Sequence, residues 1–393
     1  MRGPVRSRAQ VSRAPVPAPT MPLPMRGTRQ HCSFPSRPRP RDAPNRYRPF
    51  KRTRARVQLT FISASTCARH RATVEADRRG HDPMTARFTV LASGSGGNAS
   101  LLEFDGFGLL IDCGLQPRHL TARFRSVGTS WERVSAVVLT HTHTDHWKDA
   151  TLAELRARRI PMYAHPQHYA YMERASSFAS FRAAGLAREY GDGRPLELAP
   201  GLRCLPVRVS HDSAPTYAFR IDGYDGERPE PAWAVGYASD LGCGSPELVA
   251  AFTGVDVLAL EYNHDELMER ASPRPKFLVD RVLSDLGHLS NKQAAELTAT
   301  IAGRSGEGFP GHLVQLHLSK DCNTPELAAV AGREALVALN PATEVVTARQ
   351  DYAIVPITLA RRPNAANRAS ARVNRPAPKR RTVQPSLPGF DDW

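Results

Sequence analysis

The segment Val137-Val-Leu-Thr-His141-Thr-His143-Thr-Asp145-His146 decides the chemistry of this chain. Three imidazoles and one carboxylate fall within six residues, directly after the apolar run 134–139, which predicts a buried strand. Where the chain leaves this strand for a helix predicted over 147–159, such side chains can converge on one point. Imidazole binds zinc, iron and similar metals, and a carboxylate also tolerates harder ions. A histidine-rich surface loop without metal is the alternative, which this density of ligands at a strand end disfavours.

The spacing of these residues indicates more than one ion. His141 and His143 are two residues apart, so they can point to one side of an extended segment and share a metal. Asp145 and His146 lie at the turn into the helix and can address a second metal beside the first. Hydrolytic two-metal sites hold their ions about 3.5–4 Å apart and lower the pKa of a bridging water. Such a site needs more ligands than this motif supplies.

Later strand ends provide candidates for the missing ligands. His211 follows an apolar strand predicted over 202–209, Asp240 follows one over 232–239, and His317 ends one over 312–317. We therefore expect these three residues to complete the centre.

At this point the chain resembles the metallo-β-lactamase-fold hydrolases. The order of elements is similar to that of ribonuclease Z and, more closely, of the small bacterial group called YycJ or WalJ. The resemblance covers roughly residues 87–357. It rests on these stretches: Leu91-Ala-Ser-Gly-Ser-Gly-Gly-Asn98, Leu110-Ile-Asp112-Cys-Gly114, His141 to His146, Ser210-His211-Asp212, Ser239-Asp240-Leu-Gly242, Leu260-Glu261-Tyr-Asn263-His264-Asp265, Gly287-His288-Leu-Ser-Asn291 and Leu316-His317-Leu-Ser-Lys320.

The resemblance implies a role for each site residue. Asp240 resembles the carboxylate that bridges both metals, His288 the histidine that protonates a leaving oxygen, and Glu261 the acid that pairs with it. Asp145, His288 and Glu261 are thus the predicted catalytic residues. The predicted metal ligands are His141, His143 and His211 for the first ion, and Asp145, His146 and His317 for the second.

The residues themselves leave two of these roles open. His288 follows a helix predicted over 274–286 and lies in a loop, where catalytic groups concentrate, but it could instead cap the helix. Glu261 ends a strand predicted over 255–260 and could merely satisfy Asn263 or a backbone amide.

Charge divides the chain into three parts. Residues 1–83 hold 19 Arg or Lys against four acids, a net charge of +15, and 361–393 hold eight against two, a net of +6. Because the whole chain carries +15, residues 84–360 are left with a net charge of −6. Both flanks are rich in proline and arginine and lack hydrophobic periodicity, so we expect both to be disordered.

The first segment, 1–84, allows three interpretations: an organellar transit peptide, a nucleic-acid-binding arm, or a mis-assigned start with Met84 as the true first residue. We favour the last, because Met84-Thr-Ala-Arg-Phe-Thr-Val opens the first predicted strand at once. No apolar stretch is long enough for a membrane span. Six scattered cysteines without Cys-x-x-Cys spacing fit reduced thiols, so we expect a cytoplasmic protein that does not bind membranes.

Short apolar strands alternate with amphipathic helices over 85–360. Two strand-rich halves, each followed by helices, predict two sheets packed face to face with helices outside. The expected fold is therefore a single-domain metallo-β-lactamase αββα sandwich with disordered basic tails. One long helix is predicted over 166–184, and a last strand over 353–357.

The leading functional expectation is a phosphodiester hydrolase with two divalent ions, zinc or manganese. A two-metal cleft suits in-line displacement at phosphorus, and the resemblance implies a 5′-to-3′ DNA exonuclease with a role in DNA repair, so that DNA is the expected partner. The alternatives are a small-molecule hydrolase acting on a cyclic phosphodiester, thioester or lactone, and a non-enzymatic metal-bound module.

The C-terminal tail 361–393 carries one further pattern. Gln384, Leu387 and Phe390, within 384–390, resemble the short peptide by which bacterial repair proteins dock on the sliding clamp. A chance occurrence is the alternative, because Pro385 and Pro388 are atypical of that peptide.

Overall fold

The computed structural model describes residues 85–362, except positions 214 and 227. The segment 1–84 and the tail from 363 onward, including Gln384, Leu387 and Phe390, lie outside the described residues. The strands within this range are β1 Ala86–Ala92, β2 Ala99–Phe104, β3 Phe107–Ile111, β4 Ala136–Val138, β5 Met162–Ala164, β6 Ala187–Glu189, β7 Leu196–Ala199, β8 Leu202–Val209, β9 Thr216–Gly223, β10 Trp233–Ala238, β11 Val257–Glu261, β12 His312–Leu316, β13 Glu344–Thr347 and β14 Ile357–Leu359.

The α-helices of the described range are short, and most lie outside the strand-rich core. They are α1 Pro117–Ser126, α2 Asp149–Arg158, α3 Tyr169–Met172, α4 Phe178–Ala183, α5 Pro246–Phe252, α6 Glu266–Ala271, α7 Lys276–Val282, α8 Asn291–Ser305 and α9 Pro325–Leu336. None of the described helices is long and apolar enough to cross a bilayer.

The strands form two seven-stranded sheets, in the orders β14-β1-β2-β3-β4-β5-β6 and β13-β12-β11-β10-β9-β8-β7. Each sheet is antiparallel in one part and parallel in the other: β3 to β6 are parallel in the first sheet, and β10 to β13 in the second. Parallel neighbours end at the same edge of a sheet, and ligand sites of α/β proteins form at such edges. Most predicted site residues follow or end these parallel strands, whereas His211 follows β8 in the antiparallel part and His288 follows α7.

The antiparallel part of the first sheet includes the β2–β3 hairpin. Its two-residue turn, Asp105-Gly106, has φ values of 43° and 80°. Positive φ at both positions is the geometry of the type I′ turn, which Asp-Gly favours and whose twist matches that of the strands.

Three apolar layers hold the sandwich together. The central layer lies between the sheets and contains side chains from both, such as Phe88 of β1 and Trp233 of β10. A second layer packs the first sheet against its helices, and a third packs the second sheet against α5, α8 and α9. The predicted αββα sandwich is therefore confirmed.

Two predicted helices are wrong in extent. The range 166–184 contains a 3₁₀ turn at Pro166–His168 and the separate helices α3 and α4. Between α3 and α4, Asp149 accepts hydrogen bonds from the Ser176 hydroxyl and the Ser177 amide, so that this amide is bonded outside the helix. The helix predicted over 274–286 is α7 alone, because Pro275 precedes its first turn and the chain leaves it at Leu283.

Some elements were not predicted from the sequence. The strands β5, β6, β7 and β13 have only three or four residues each, too few to establish a period, and α1 and α6 were also missed. The last strand, β14, overlaps the predicted 353–357 only at Ile357.

Candidate metal centre

The loop after β4 brings the local motif together. The His146 amide donates to the His143 carbonyl, and the Trp147 indole donates to the Thr142 carbonyl, so the chain folds back on itself within one turn. His141 and His146 are fully buried, while His143 is half-buried.

A buried carboxylate orients His146. Asp112 follows β3 with a φ of 59°, and its Oδ2 lies 2.7 Å from His146 Nδ1. Its Oδ1 accepts from the Thr140 amide at 2.8 Å, and the Thr140 hydroxyl also donates to this carboxylate. Engaging Nδ1 in this way fixes the ring and leaves Nε2 free to face the centre.

His211 joins the motif from the second sheet. Its Nδ1 lies 2.9 Å from the Gly287 carbonyl, and its Nε2 lies 3.3 Å from His143 Nδ1. One nitrogen each of His141, His143 and His211 lies within 4.8 Å of the others, which is a spacing that one ion can fill.

A second group of ligand atoms lies beside the first. Asp145 Oδ2 is 3.5 Å from the Nε2 atoms of both His146 and His317. His317 has a φ of 52°, a conformation uncommon outside glycine. Its amide donates to the Ser93 hydroxyl, and its carbonyl accepts from the Asn263 side chain, so contacts on both sides of the residue hold this backbone.

Asp240 lies between the two groups. It follows β10 and is 3% exposed. Its Oδ2 is 3.1 Å from His146 Nε2, and its Oδ1 is 3.1 Å from His317 Nδ1 and 4.0 Å from His211 Nε2. No other carboxylate of the described residues lies within 4.0 Å of these three histidines at once.

Glu261, at the end of β11, contacts two histidines. Its Oε1 lies 2.7 Å from His288 Nδ1 and 3.0 Å from His317 Nδ1. Its Oε2 accepts from the amides of Leu241 and Leu289. Burial opposes the charge of His288, but Glu261 raises the pKa of this imidazole above its ordinary value.

The structure thus brings all predicted site residues into one cluster. Geometry also admits another grouping, because Asp240, Glu261, His288 and His317 offer ligand atoms within 4.8 Å of one another. Whether His288 is a ligand or an acid therefore has to be decided by its chemistry.

Two further residues touch the cluster. Asn98 Nδ2 lies 3.0 Å from His146 Nε2 and 3.2 Å from Asp145 Oδ2, and Asp212 Oδ1 lies 3.5 Å from His143 Nε2. Neither was predicted to contact ligand residues. The signal for Asp212 was its place directly after His211, whereas the contacts of Asn98 depend on residues more than 40 positions away.

Divalent ions fit these residues. His141 Nε2 is buried without a hydrogen-bond partner among the described residues, which is costly for a polar atom unless another group binds it. Although burial opposes it, the surrounding carboxylates raise the pKa of His146 and His317 well above the ordinary value. A bound cation would supply positive charge next to these carboxylates.

Comparison with known proteins identifies the family of this chain. Residues 108–312 match the model of the Beta-lactamase superfamily domain. The chain belongs to this superfamily. It is a metallo-β-lactamase-fold hydrolase, and the fold implies divalent metal ions.

Curated relatives place the chain within the WalJ and YycJ group. It is 30% identical over 250 residues to Exodeoxyribonuclease WalJ of Streptococcus pneumoniae, covering 62% of this chain and 85% of that protein. It is 29% identical over 260 residues to Exodeoxyribonuclease YycJ of Bacillus anthracis, covering 64% and 90%. Among solved structures, the metallo-beta-lactamase fold protein YhfI from Bacillus subtilis aligns at 18% identity with a TM-score of 0.48, over 69% of this chain and 99% of that one.

Proposed function

We propose that this protein is a metal-dependent phosphodiesterase, specifically a DNA exonuclease that acts 5′ to 3′ in DNA repair. The observation that carries the proposal is the pairing of two ligand groups, joined at Asp240, with a histidine bonded to a buried acid. The names of the WalJ and YycJ relatives support DNA as the substrate.

The ligand residues hold two ions, zinc or manganese, in this proposal. His141, His143 and His211 would hold the first, Asp145, His146 and His317 would hold the second, and Asp240 would bind both. The ions would supply Lewis acidity and a water of lowered pKa. Asp145 has a side chain that is 18% exposed and a pKa held well below the ordinary range by His146 despite burial, so it stays ionised where substrate enters.

His288 acts as the general acid. Its Nδ1 is engaged by Glu261, which leaves Nε2 as the nitrogen that gives a proton to the leaving oxygen. Its side chain is 18% exposed, so a substrate can reach it. A 3′ oxygen leaving from a phosphodiester needs such a proton, because an alkoxide is a poor leaving group.

We place the protein in the cytoplasm, where thiols stay reduced. The described cysteines Cys113, Cys204, Cys243 and Cys322 are all free, which fits such a compartment.

We also propose that the C-terminal tail binds the sliding clamp. Gln384, Leu387 and Phe390 are the anchors of this proposal, which rests on the sequence alone. A labelled peptide of residues 380–393 should bind clamp saturably, and Gln384→Ala with Leu387→Ala should abolish that binding. Absence of binding at high micromolar clamp contradicts the proposal.

In the deciding assay, purified protein loaded with Zn²⁺ or Mn²⁺ is incubated with duplex DNA that carries a 5′ phosphate. The DNA is labelled at one end or the other in separate reactions. We expect release of mononucleotides from the 5′ end and slower cleavage when the 5′ phosphate is absent. The Asp240→Ala variant controls for contaminating nucleases. Hydrolysis of bis-p-nitrophenyl phosphate without any action on DNA or RNA would favour the small-molecule alternative.

A further inference from the structure

The segment 276–287, which comprises α7 and the turn that follows it, is bonded directly to the candidate metal centre. The His288 amide donates to the Val282 carbonyl at 3.0 Å, and His211 Nδ1 lies 2.9 Å from the Gly287 carbonyl. The Ser210 hydroxyl donates to the Asp285 carbonyl at 2.7 Å. One end of α7 is therefore fixed relative to the proposed acid and to one proposed ligand.

This segment exposes apolar side chains beside a polar site. Phe277 is 74% exposed and Leu286 is 54% exposed. Phe277 is the only phenylalanine among the large exposed hydrophobic residues of the described range. A single exposed apolar residue is ordinary on a protein surface, but apolar exposure that adjoins a catalytic site is typical of a binding surface.

Arg281 shows where the Phe277 face of α7 lies relative to the centre. It lies four residues after Phe277, so the two side chains share one face of α7, with their Cβ atoms about 5–6 Å apart. The Arg281 guanidinium forms an ion pair with Asp212, whose Oδ1 is 3.4 Å from His211 Nε2. Phe277 therefore lies on the same face of α7 as the residue that reaches Asp212, next to the proposed first-metal ligands.

Charge makes Arg281 a candidate for phosphate contact. Residues 84–360 carry a net negative charge, so binding of nucleic acid to this part of the chain depends on local cations. The Arg281 side chain is 50% exposed although it is paired. A guanidinium can bind a phosphate in the bidentate way in which it binds a carboxylate.

We propose that α7 is the substrate-binding element of this centre: Phe277 stacks on a base near the DNA end, and Arg281 binds a neighbouring phosphate. This inference rests on the proposed nuclease function and names the groups that recognise its substrate. Aromatic side chains stack on bases of any sequence, which suits an exonuclease that must act at every position.

The test for Phe277 is a binding cycle with a labelled single-stranded oligonucleotide and its counterpart that lacks bases at the 5′ end. We expect Phe277→Ala to weaken binding of the intact strand about 10- to 100-fold, the usual effect of losing one stacking partner. Removing the bases should weaken wild-type binding by a similar factor and leave the variant's affinity nearly unchanged.

Two matched variants control this cycle. Phe277→Trp should retain the affinity, because it keeps an aromatic face. Leu267→Ala removes a side chain on α6 that is 78% exposed, and it should bind like the wild type. If Phe277→Ala loses equal affinity for the intact and the base-free strand, stacking is excluded. If the wild type neither binds nor cuts DNA, the proposed function itself is contradicted.

The test for Arg281 is the salt dependence of binding. Arg281→Gln should lower the slope of log Kd against log salt concentration by about one, as expected for the loss of one phosphate contact. Arg156→Gln, an equal charge change at the end of α2, should leave the slope unchanged. An unchanged slope in Arg281→Gln, or a fall in its bound metal, would show that Arg281 acts only through Asp212.

Discussion

The two sheets contribute to the metal centre in different ways. The first sheet supplies His141, His143, Asp145 and His146 from one loop of six residues after β4. The second sheet supplies its residues from separate strand ends that span more than 100 positions. A local motif can therefore be recognised from the sequence, whereas the second set is assembled only when separate strands of the sheet bring their ends to one edge.

Each half also has its own buried carboxylate. Asp112 binds His146 and the Thr140 amide, and Glu261 binds His317 and the amides of Leu241 and Leu289. The difference is that Glu261 also binds His288. The second half thus combines the support of a proposed ligand with the support of a proposed proton donor.

Asp240→Ala should have the largest effect. Because this carboxylate lies within 4.0 Å of histidines in both ligand groups, its loss should abolish activity and lower the bound metal. Elemental analysis of the purified variant gives the metal content, with the exposed Asp351→Ala as control. Two ions retained per chain would refute the bridging role.

His288→Ala should keep the metals and lose turnover by about 10²–10⁴, the usual range for a general acid. The loss should be smaller for substrates with good leaving groups, such as nitrophenyl esters, since these need no proton. Steady-state rates beside elemental analysis distinguish the cases. If the variant loses metal, His288 is a ligand and the role of His317 must be revised.

Asp112→Asn and Glu261→Gln should weaken metal binding to a similar extent. Each removes the charge of a carboxylate that orients a proposed ligand, so each should weaken metal affinity by about 10–100-fold. Metal titration with a competing chelator measures the loss. An effect in only one variant would show that the two carboxylates are not equivalent supports.

The dependence of the rate on pH should distinguish Glu261→Gln from Asp112→Asn. Glu261 raises the pKa of His288, which is active when protonated, so the rate falls as pH rises through that pKa. Glu261→Gln removes this contribution, and its rate should fall at lower pH than that of the wild type. Asp112→Asn should leave the basic limb in place. The rate against pH at saturating metal checks both, and an unshifted limb in Glu261→Gln contradicts the proposed pairing.

The smallest effect concerns a contact between the two halves. His168, in the 3₁₀ turn after β5, places its Nε2 2.8 Å from the Pro215 carbonyl near the start of β9. Burial lowers its pKa to about 4, so the folded state disfavours the charged imidazole. The wild type should lose about 2 kcal/mol of stability as pH falls from 7 to 5.

Denaturant unfolding of the wild type and of His168→Gln at both pH values measures this loss. The variant has no group that titrates there, so its stability should fall by about 2 kcal/mol less than that of the wild type. Equal losses in the two proteins would indicate that other groups account for the pH dependence.

The sequence by itself determined the fold class and the candidate ligands. The apolar run before His141 and the strand ends before His211, Asp240 and His317 are local patterns, because hydrophobic period and residue type are properties of consecutive residues. The motif order of the family made the same residues recognisable. The αββα sandwich followed from the order of strands and helices, and the structure confirms it.

Only the tertiary structure decided how these residues contact one another. The double contact of Glu261, the approach of Asn98 to Asp145 and the ion pair of Asp212 with Arg281 each join segments far apart in the chain. Likewise, the chain between α3 and α4, inside the predicted helix 166–184, is hydrogen-bonded to Asp149, which no local pattern reveals. Local sequence fixes which conformations a segment favours, but partners distant in sequence decide which one is stabilised.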